Sequence, residues 1–370
     1  MKSLVTGGAG FIGGNLVERL VELGHKVIVL DNLSTGRLSN LNRVKDRIEF
    51  KNVDIFKKDK FFDQYFENVD WVFHLAGLAD IVPSIENPTE YFNSNVIGTF
   101  NVLEVSKKIG VKKLIYAASA SCYGIPEKYP TSENSKIDPQ YPYAVTKNIG
   151  EQLVLRWGEI YNMSNVSLRF FNAYGPKSRT TGAYGAVFGV FLAQKLANKP
   201  LTIVGDGNQT RDFIHVFDLV DASIKAIKES KSGKIYNIGN GKEISINFIT
   251  DIIGGNKIRV PLRPREVERS LADISKIKNE LDWEPKIQIE QGIKMLMKDI
   301  NDWKEAKVWT AEKIEKGSKL IISQHGGHYG IGKWNSSEDH EISVADNYIS
   351  WGWIEKGVSS LSSAKLSGIK

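Results

Sequence analysis

The run Thr6-Gly7-Gly8-Ala9-Gly10-Phe11-Ile12-Gly13 constrains the fold more than any other stretch of this 370-residue chain. It joins a β-rich segment, 3–6, to an amphipathic one in which Ile12, Leu16, Leu20 and Leu23 recur at helical spacing, with Gly24 as a C-cap. A strand that passes through closely spaced glycines into a helix suits a bound pyrophosphate. Gly7 permits the tight turn, Gly10 lets backbone N–H groups approach the anion, and Gly13 allows close helix–strand packing. Phe11 and Ile12 open the helix over that turn. Asp31 follows 24 positions after Gly7, at the end of the next apolar run, with Asn32 behind it. A carboxylate there accepts from both ribose hydroxyls and repels a 2′-phosphate, so the predicted cofactor is NAD rather than NADP.

Strand-like segments at 26–30, 48–53, 71–75 and 113–118 alternate with helical patterns, which predicts an α/β fold with a Rossmann-type doubly wound parallel sheet. Asp54-Ile55 and Leu75-Ala76-Gly77 close the third and fourth runs, where they would border the cofactor, although each taken alone is an ordinary strand end. We assign residues 1–175 to an NAD-binding domain and expect strands at 213–216 and 235–238 to rejoin its sheet. Residues 176–303 read as a smaller α/β lobe, with a helix at 186–197 and a strand at 201–204. Residues 304–370 form an atypical tail, a fused or truncated segment. It holds His325, His328 and His340, three of the six histidines. The glycines between them fit ordinary loop histidines better than a metal site, so no metal is expected.

Composition narrows the class. There are 49 basic and 43 acidic residues, for a formal charge of +6, and Lys and Arg form no sustained block. A nucleic-acid binder is therefore disfavoured. No stretch approaches the ~20 apolar residues of a membrane span. The single cysteine, Cys122, fits a reducing compartment, and a cytoplasmic protein is expected.

Tyr143 and Lys147 stand one helical turn apart at the start of another helical pattern. A phenol with an ordinary pKa of about 10 is a poor base, and lowering it by ~3 units needs about 4 kcal/mol, which a neighbouring ammonium and a cationic nicotinamide supply. Ser119 and Ser121 lie where the fifth strand leaves the sheet, placed to hydrogen-bond a substrate hydroxyl or carbonyl.

These motifs, followed by Arg169-Phe170-Phe171-Asn172-Ala173-Tyr174-Gly175-Pro176 and Arg211-Asp212-Phe213-Ile214-His215-Val216, resemble the extended short-chain dehydrogenase/reductases, specifically the NAD-dependent nucleotide-sugar epimerases and dehydratases. The resemblance spans about residues 1–303. It implies a UDP-sugar substrate, catalysis by Ser119, Tyr143 and Lys147, and a homodimer formed by the helices near 92–105 and 143–157. It also implies Asn95 beside the nicotinamide, and Asn172, Arg211 and Arg263 on the diphosphate. Dehydratases of this group carry an acidic pair after the catalytic hydroxyl, where this chain has Ala120-Ser121, so 4-epimerisation is expected. The alternatives are an NADPH reductase, a dehydratase, or a non-catalytic NAD-binding sensor or structural subunit. Ser270 falls where similar epimerases restrict the space around C2, and a serine leaves room for an N-acetyl group. UDP-N-acetylglucosamine is thus expected beside UDP-glucose. Arg265 replaces the family's usual glycine. The tail, around Ile321 to Gly330, resembles one segment of transferases of bacterial surface-carbohydrate synthesis.

Overall fold

Seven parallel strands form the central sheet of a computed structural model that describes residues 1–178, 187–261, 267–298, 321–323, 347–350 and 358–360. The chain divides into two compact units, Met1–Met297 and Lys298–Lys370. In the first unit the sheet contains β1 Lys2–Thr6, β2 Lys26–Asp31, β3 Ile48–Asn52, β4 Trp71–His74, β5 Lys113–Ser119 and β6 Ser164–Phe170. Three short strands that follow, β7 Asn172–Tyr174, β8 Leu201–Val204 and β9 Thr210–His215, lie outside it, and β10 Ile235–Ile238 returns to it. The order is β10-β6-β5-β4-β1-β2-β3.

The chain therefore winds outward from β1 to β3, then crosses back to lay β4 on the other side of β1. The carboxyl ends of β1 and β4 diverge at that reversal, and a crevice opens above them. The inner strands are apolar on both faces: Leu4, Val5, Val29, Leu30, Val72 and Phe73 are all buried. That pattern requires helices on each side. They are α1 Phe11–Glu22, α4 Gly98–Ile109, α5 Pro142–Tyr161 and α7 Val216–Glu229; the short α2 Ile81–Glu86 and α3 Pro88–Phe92 pack on α5, and α6 Val187–Leu196 packs beside β8 in the second lobe. Leu16 and Leu20 of α1 are fully buried, whereas Leu23 lies past the last helical residue and is exposed. Gly24 follows with φ +79°, a left-handed conformation that ends the helix.

The expectation that 213–216 rejoins the main sheet fails. Residues 213–215 lie in β9, which pairs in parallel with β7 and antiparallel with β11 Glu243–Ser245; Val216 already begins α7. The edge beside β6 has room for one strand, and β10 takes it, with Ile235 to Ile238 against Ser167 to Phe170. The lobe is completed by α8 Ile246–Ile253, β12 Lys257–Val260 in parallel with β8, and α9 Ser275–Leu281. In the second unit, β13 Ile321–Ser323, β14 Asn347–Ser350 and β15 Val358–Ser360 form a parallel sheet in that order. The three tail histidines lie outside the described residues. Among the described residues no group of His, Cys, Asp and Glu is placed to hold a metal, and no helix is long and apolar enough to cross a membrane.

Candidate functional site

A cavity of about 880 Å³ occupies the crevice over the carboxyl ends of the parallel strands. Its floor is the glycine turn. Gly7 has φ +70°, and a Cβ there would stand 2.7 Å from the Ala76 nitrogen. At Gly13 a Cβ would fall 2.1 Å from the Gly7 carbonyl oxygen. Both positions are closed to any larger residue, so backbone packs on backbone and leaves a smooth cradle. The α1 N-cap, Gly10, makes no side-chain cap, and the first turn carries no acidic residue. The helix thus presents uncapped N–H groups to this end of the cavity, as a pyrophosphate requires.

Asp31 ends β2 and is buried. Its Oδ2 accepts from the Ala9 N–H at 2.9 Å and its Oδ1 from the Leu33 N–H at 2.8 Å. Burial pushes this carboxyl up, and those two donors oppose the shift. Each oxygen retains acceptor capacity for a ribose hydroxyl. Asn32, Asp54, Ile55, Leu75, Ala76 and Gly77 line the same side with Phe11 and Ile12. This cradle fits NAD: small floor, buried acid, and backbone donors at a helix start. Asn95 lies behind Gly77, where a Cβ would stand 2.8 Å from its Oδ1. It is buried off the cavity wall, accepts from Leu78 N–H at 2.8 Å, and donates to the Leu78 carbonyl and to Thr146 Oγ1, each at 3.0 Å. Its amide fixes the loop after Gly77 to α5.

Opposite the cradle, Ser119 ends β5, and its Oγ accepts from the Ser121 N–H at 3.2 Å and the Ser121 hydroxyl at 2.9 Å. Tyr143 follows Pro142 in the first turn of α5 and packs against the rings of Tyr141 and Tyr91. Burial pushes its phenol up; hydrogen bonding with Ser119 and Ser121 opposes that, while the nearby Asp80 adds to it. One turn on, Lys147 is buried. Its ammonium donates to the Ala117 carbonyl at 2.7 Å and lies 4.9 Å from the centre of the Tyr116 ring. Burial pushes the amine down to about 8. The Tyr116 hydroxyl fits against α5 only because residue 150 is glycine, where a Cβ would stand 2.2 Å from it.

The third wall comes from the second lobe. Asn172, Arg211 and Ser270 line it, as does Ser121 from the β5 side. The Asn172 amide donates to the Asp212 carbonyl at 3.2 Å, the Arg211 guanidinium to the Thr210 carbonyl at 2.9 Å, and the Ser270 N–H to the same carbonyl at 3.2 Å. Arg263 lies outside the described residues. Sequence reasoning missed Arg37, Lys177, Tyr129 and Arg269, which also line the cavity. Lys177, at φ +69°, donates to the Gly14 carbonyl at 2.9 Å and pairs with Glu18 at 2.8 Å, tying the segment after β7 to α1. Its position directly after Gly175-Pro176 was the available signal.

Comparisons with known proteins agree with this fold. The profile of the NAD dependent epimerase/dehydratase family matches residues 3–239, and that of the LIC12162 family transferases matches residues 270–370. The chain is 37% identical over 330 residues to a UDP-glucuronate 4-epimerase of Thermodesulfobacterium geofontis, covering 84% of this chain and 97% of that one. Among solved structures it resembles a UDP-N-acetylglucosamine 4-epimerase from Methanobrevibacter ruminantium (TM-score 0.75, 30% identity, 80% of this chain and 98% of that one). It also resembles a Thermus thermophilus UDP-glucose 4-epimerase in complex with NAD (TM-score 0.74, 32% identity, 81% and 99%).

Proposed function

This chain belongs to the NAD-dependent epimerase/dehydratase family, and we propose that it inverts C4 of a UDP-hexose, with UDP-N-acetylglucosamine and UDP-glucose as the preferred substrates, for surface-polysaccharide precursors. The observation that carries the reading is the convergence of Ser119, Tyr143 and Lys147 on one wall of a cavity whose floor is the glycine cradle. The next positions, Ala120 and Ser121, line that wall and bring no carboxylate, so nothing there serves the elimination of water.

Gly7, Gly10, Gly13 and Asp31 would hold NAD, which when bound would supply reversible hydride acceptance at C4. The chain supplies the rest. Tyr143 removes the proton of the 4-hydroxyl as its phenolate and gives it back at the end. Lys147, held between the Ala117 carbonyl and the Tyr116 ring one helical turn from Tyr143, supplies a positive charge that favours the phenolate. Ser119 hydrogen-bonds O4 through both oxidation states. Arg211, Asn172 and, by resemblance, Arg263 grip the diphosphate while the 4-keto sugar turns, so binding energy far from the reacting atom retains it. Ser270 leaves room at C2.

We further propose a homodimer through α4 and α5, where Phe100, Ile160 and Tyr161 are exposed although apolar; sedimentation equilibrium tests it.

The purified protein, with no cofactor added, is incubated separately with UDP-N-acetylglucosamine, UDP-glucose and UDP-glucuronate, and the C4 epimer is followed by NMR. The galacto product in either of the first two tubes supports the reading. Turnover of the glucuronate alone moves the substrate assignment away from Ser270, and no product in any tube while NAD remains bound overturns epimerase chemistry.

A further inference from the structure

Asp212 is fully buried, yet the catalytic scheme above gives its carboxylate no task. It follows Arg211 in β9, and strand alternation sends the two side chains to opposite faces: Arg211 to the cavity, Asp212 into the lobe. There its Oδ1 accepts from the Asn240 N–H at 2.6 Å, and its Oδ2 from the Gly241 and Ala272 N–H groups, both at 3.0 Å. Among the described residues no cation pairs with it. Burial pushes the carboxyl up to about 6 against the pull of those three donors.

The three donors belong to segments far apart in sequence. Asn240-Gly241 leads from β10 to β11, whereas Ala272 lies two residues after Ser270. The backbone of Asp212 completes the junction, because its carbonyl accepts from Asn172. One residue thus touches or adjoins three parts of the second-lobe wall: Arg211 by sequence, Asn172 through its carbonyl, and the Ser270 segment through its carboxylate. The fit is close. A Cβ on Gly239 would stand 2.6 Å from the Ala272 Cβ and 2.9 Å from Asp212 Oδ2. A buried carboxylate is a costly way to gain stability, since apolar residues of similar volume commonly do as well. What it provides is a fixed geometry.

We infer that Asp212 is a positioning residue of the nucleotide-sugar wall, joining the 240–241 turn to the Ser270 segment, which backbone bonds to Thr210 and Thr131 also hold, against the strand that carries Arg211. This rests on the epimerase reading. It assigns Asp212 no contact with substrate or cofactor, and its effect is confined to substrate grip.

The test uses the full chain with its retained NAD. In Asp212→Asn an amide NH2 replaces one carboxylate oxygen among three donors, so at least one of those contacts is lost. KM for whichever UDP-sugar turns over rises about tenfold, kcat stays within about twofold, and the NAD content is unchanged. An unchanged KM, or a fall in kcat at constant KM, overturns the inference. If Asp212→Asn does not fold, Gly239→Ala carries the test, because its methyl pushes the Ala272 segment off an intact carboxylate; a raised KM supports the inference and an unaltered one overturns it. If no sugar turns over in the wild type, the epimerase reading has failed on its own. UDP affinity by calorimetry then decides: binding about tenfold weaker in the variant supports the inference, and equal binding, or none in the wild type, overturns it.

Discussion

The part of the cavity built on the main sheet, cradle and Ser119 wall together, and the wall from the second lobe are built on different principles. The cofactor side comes from the ends of successive parallel strands: the glycine turn after β1, Asp31 at the end of β2, Asp54 beyond β3, Gly77 beyond β4 and Ser119 at the end of β5. Right-handed crossovers bring every one of these ends to the same edge, so a short local motif lands in the right place whatever the distant chain does. The other side, where we propose the sugar nucleotide binds, joins segments that lie outside the main sheet and far apart in sequence. Asn172 sits on β7, Arg211 on β9 and Ser270 in a connection, and they meet through β7–β9 pairing, the Thr210 backbone and the Asp212 carboxylate. A wall of the first kind tolerates change elsewhere, whereas one of the second kind depends on a few long-range contacts.

The largest test falls where the walls share a substrate. Tyr143→Phe removes the proton acceptor and lowers kcat by about 10³-fold, with NAD content and fold preserved, as NMR of the C4 epimer and cofactor extraction would report. Retained turnover would remove Tyr143 from its role. Next, Gly13→Val forces side-chain atoms into the Gly7 carbonyl and weakens NAD retention by about 100-fold, so activity depends on added cofactor. If the cofactor wall were as dependent on distant contacts as the other, excess NAD would not restore it.

On the substrate wall, Ser270→Tyr fills the space around C2 and lowers kcat/KM for UDP-N-acetylglucosamine relative to UDP-glucose by about tenfold, leaving NAD bound. An unchanged ratio would move the specificity determinant elsewhere. The smallest effect is in pH. Lys147, with its amine at about 8, is charged below that value and neutral above it. Its support of the phenolate is therefore present at neutral pH and lost on the alkaline side, so kcat falls by a few-fold per unit above about pH 8. A kcat that keeps rising to pH 10 would mean the phenolate needs no ammonium.

Much of this molecule was legible before any coordinates. The strands β1 to β5, the turn at Gly7 to Gly13, Asp31 and the Tyr143/Lys147 spacing are local features, each set by periodicity or by an interval of a few residues. What local pattern does not carry is the choice of partners. The Asn95 amide is fixed by Leu78 and by Thr146, 51 residues further on. Residues 213–216 looked like a strand of the main sheet, but β10 had claimed the edge. Asp212 read as one letter of a motif, and its three donors from two distant segments gave no sequence signal.

The sequence by itself determined a doubly wound sheet, a dinucleotide cradle and a tyrosine–lysine pair on one helix face, because strand, turn and helix preferences act over spans of ten residues or so. Tertiary structure alone decided which buried polar groups satisfy one another and which remain turned to the cavity. A buried donor or acceptor must find a partner, and which partner lies within 3 Å depends on how segments far apart in the chain come to pack.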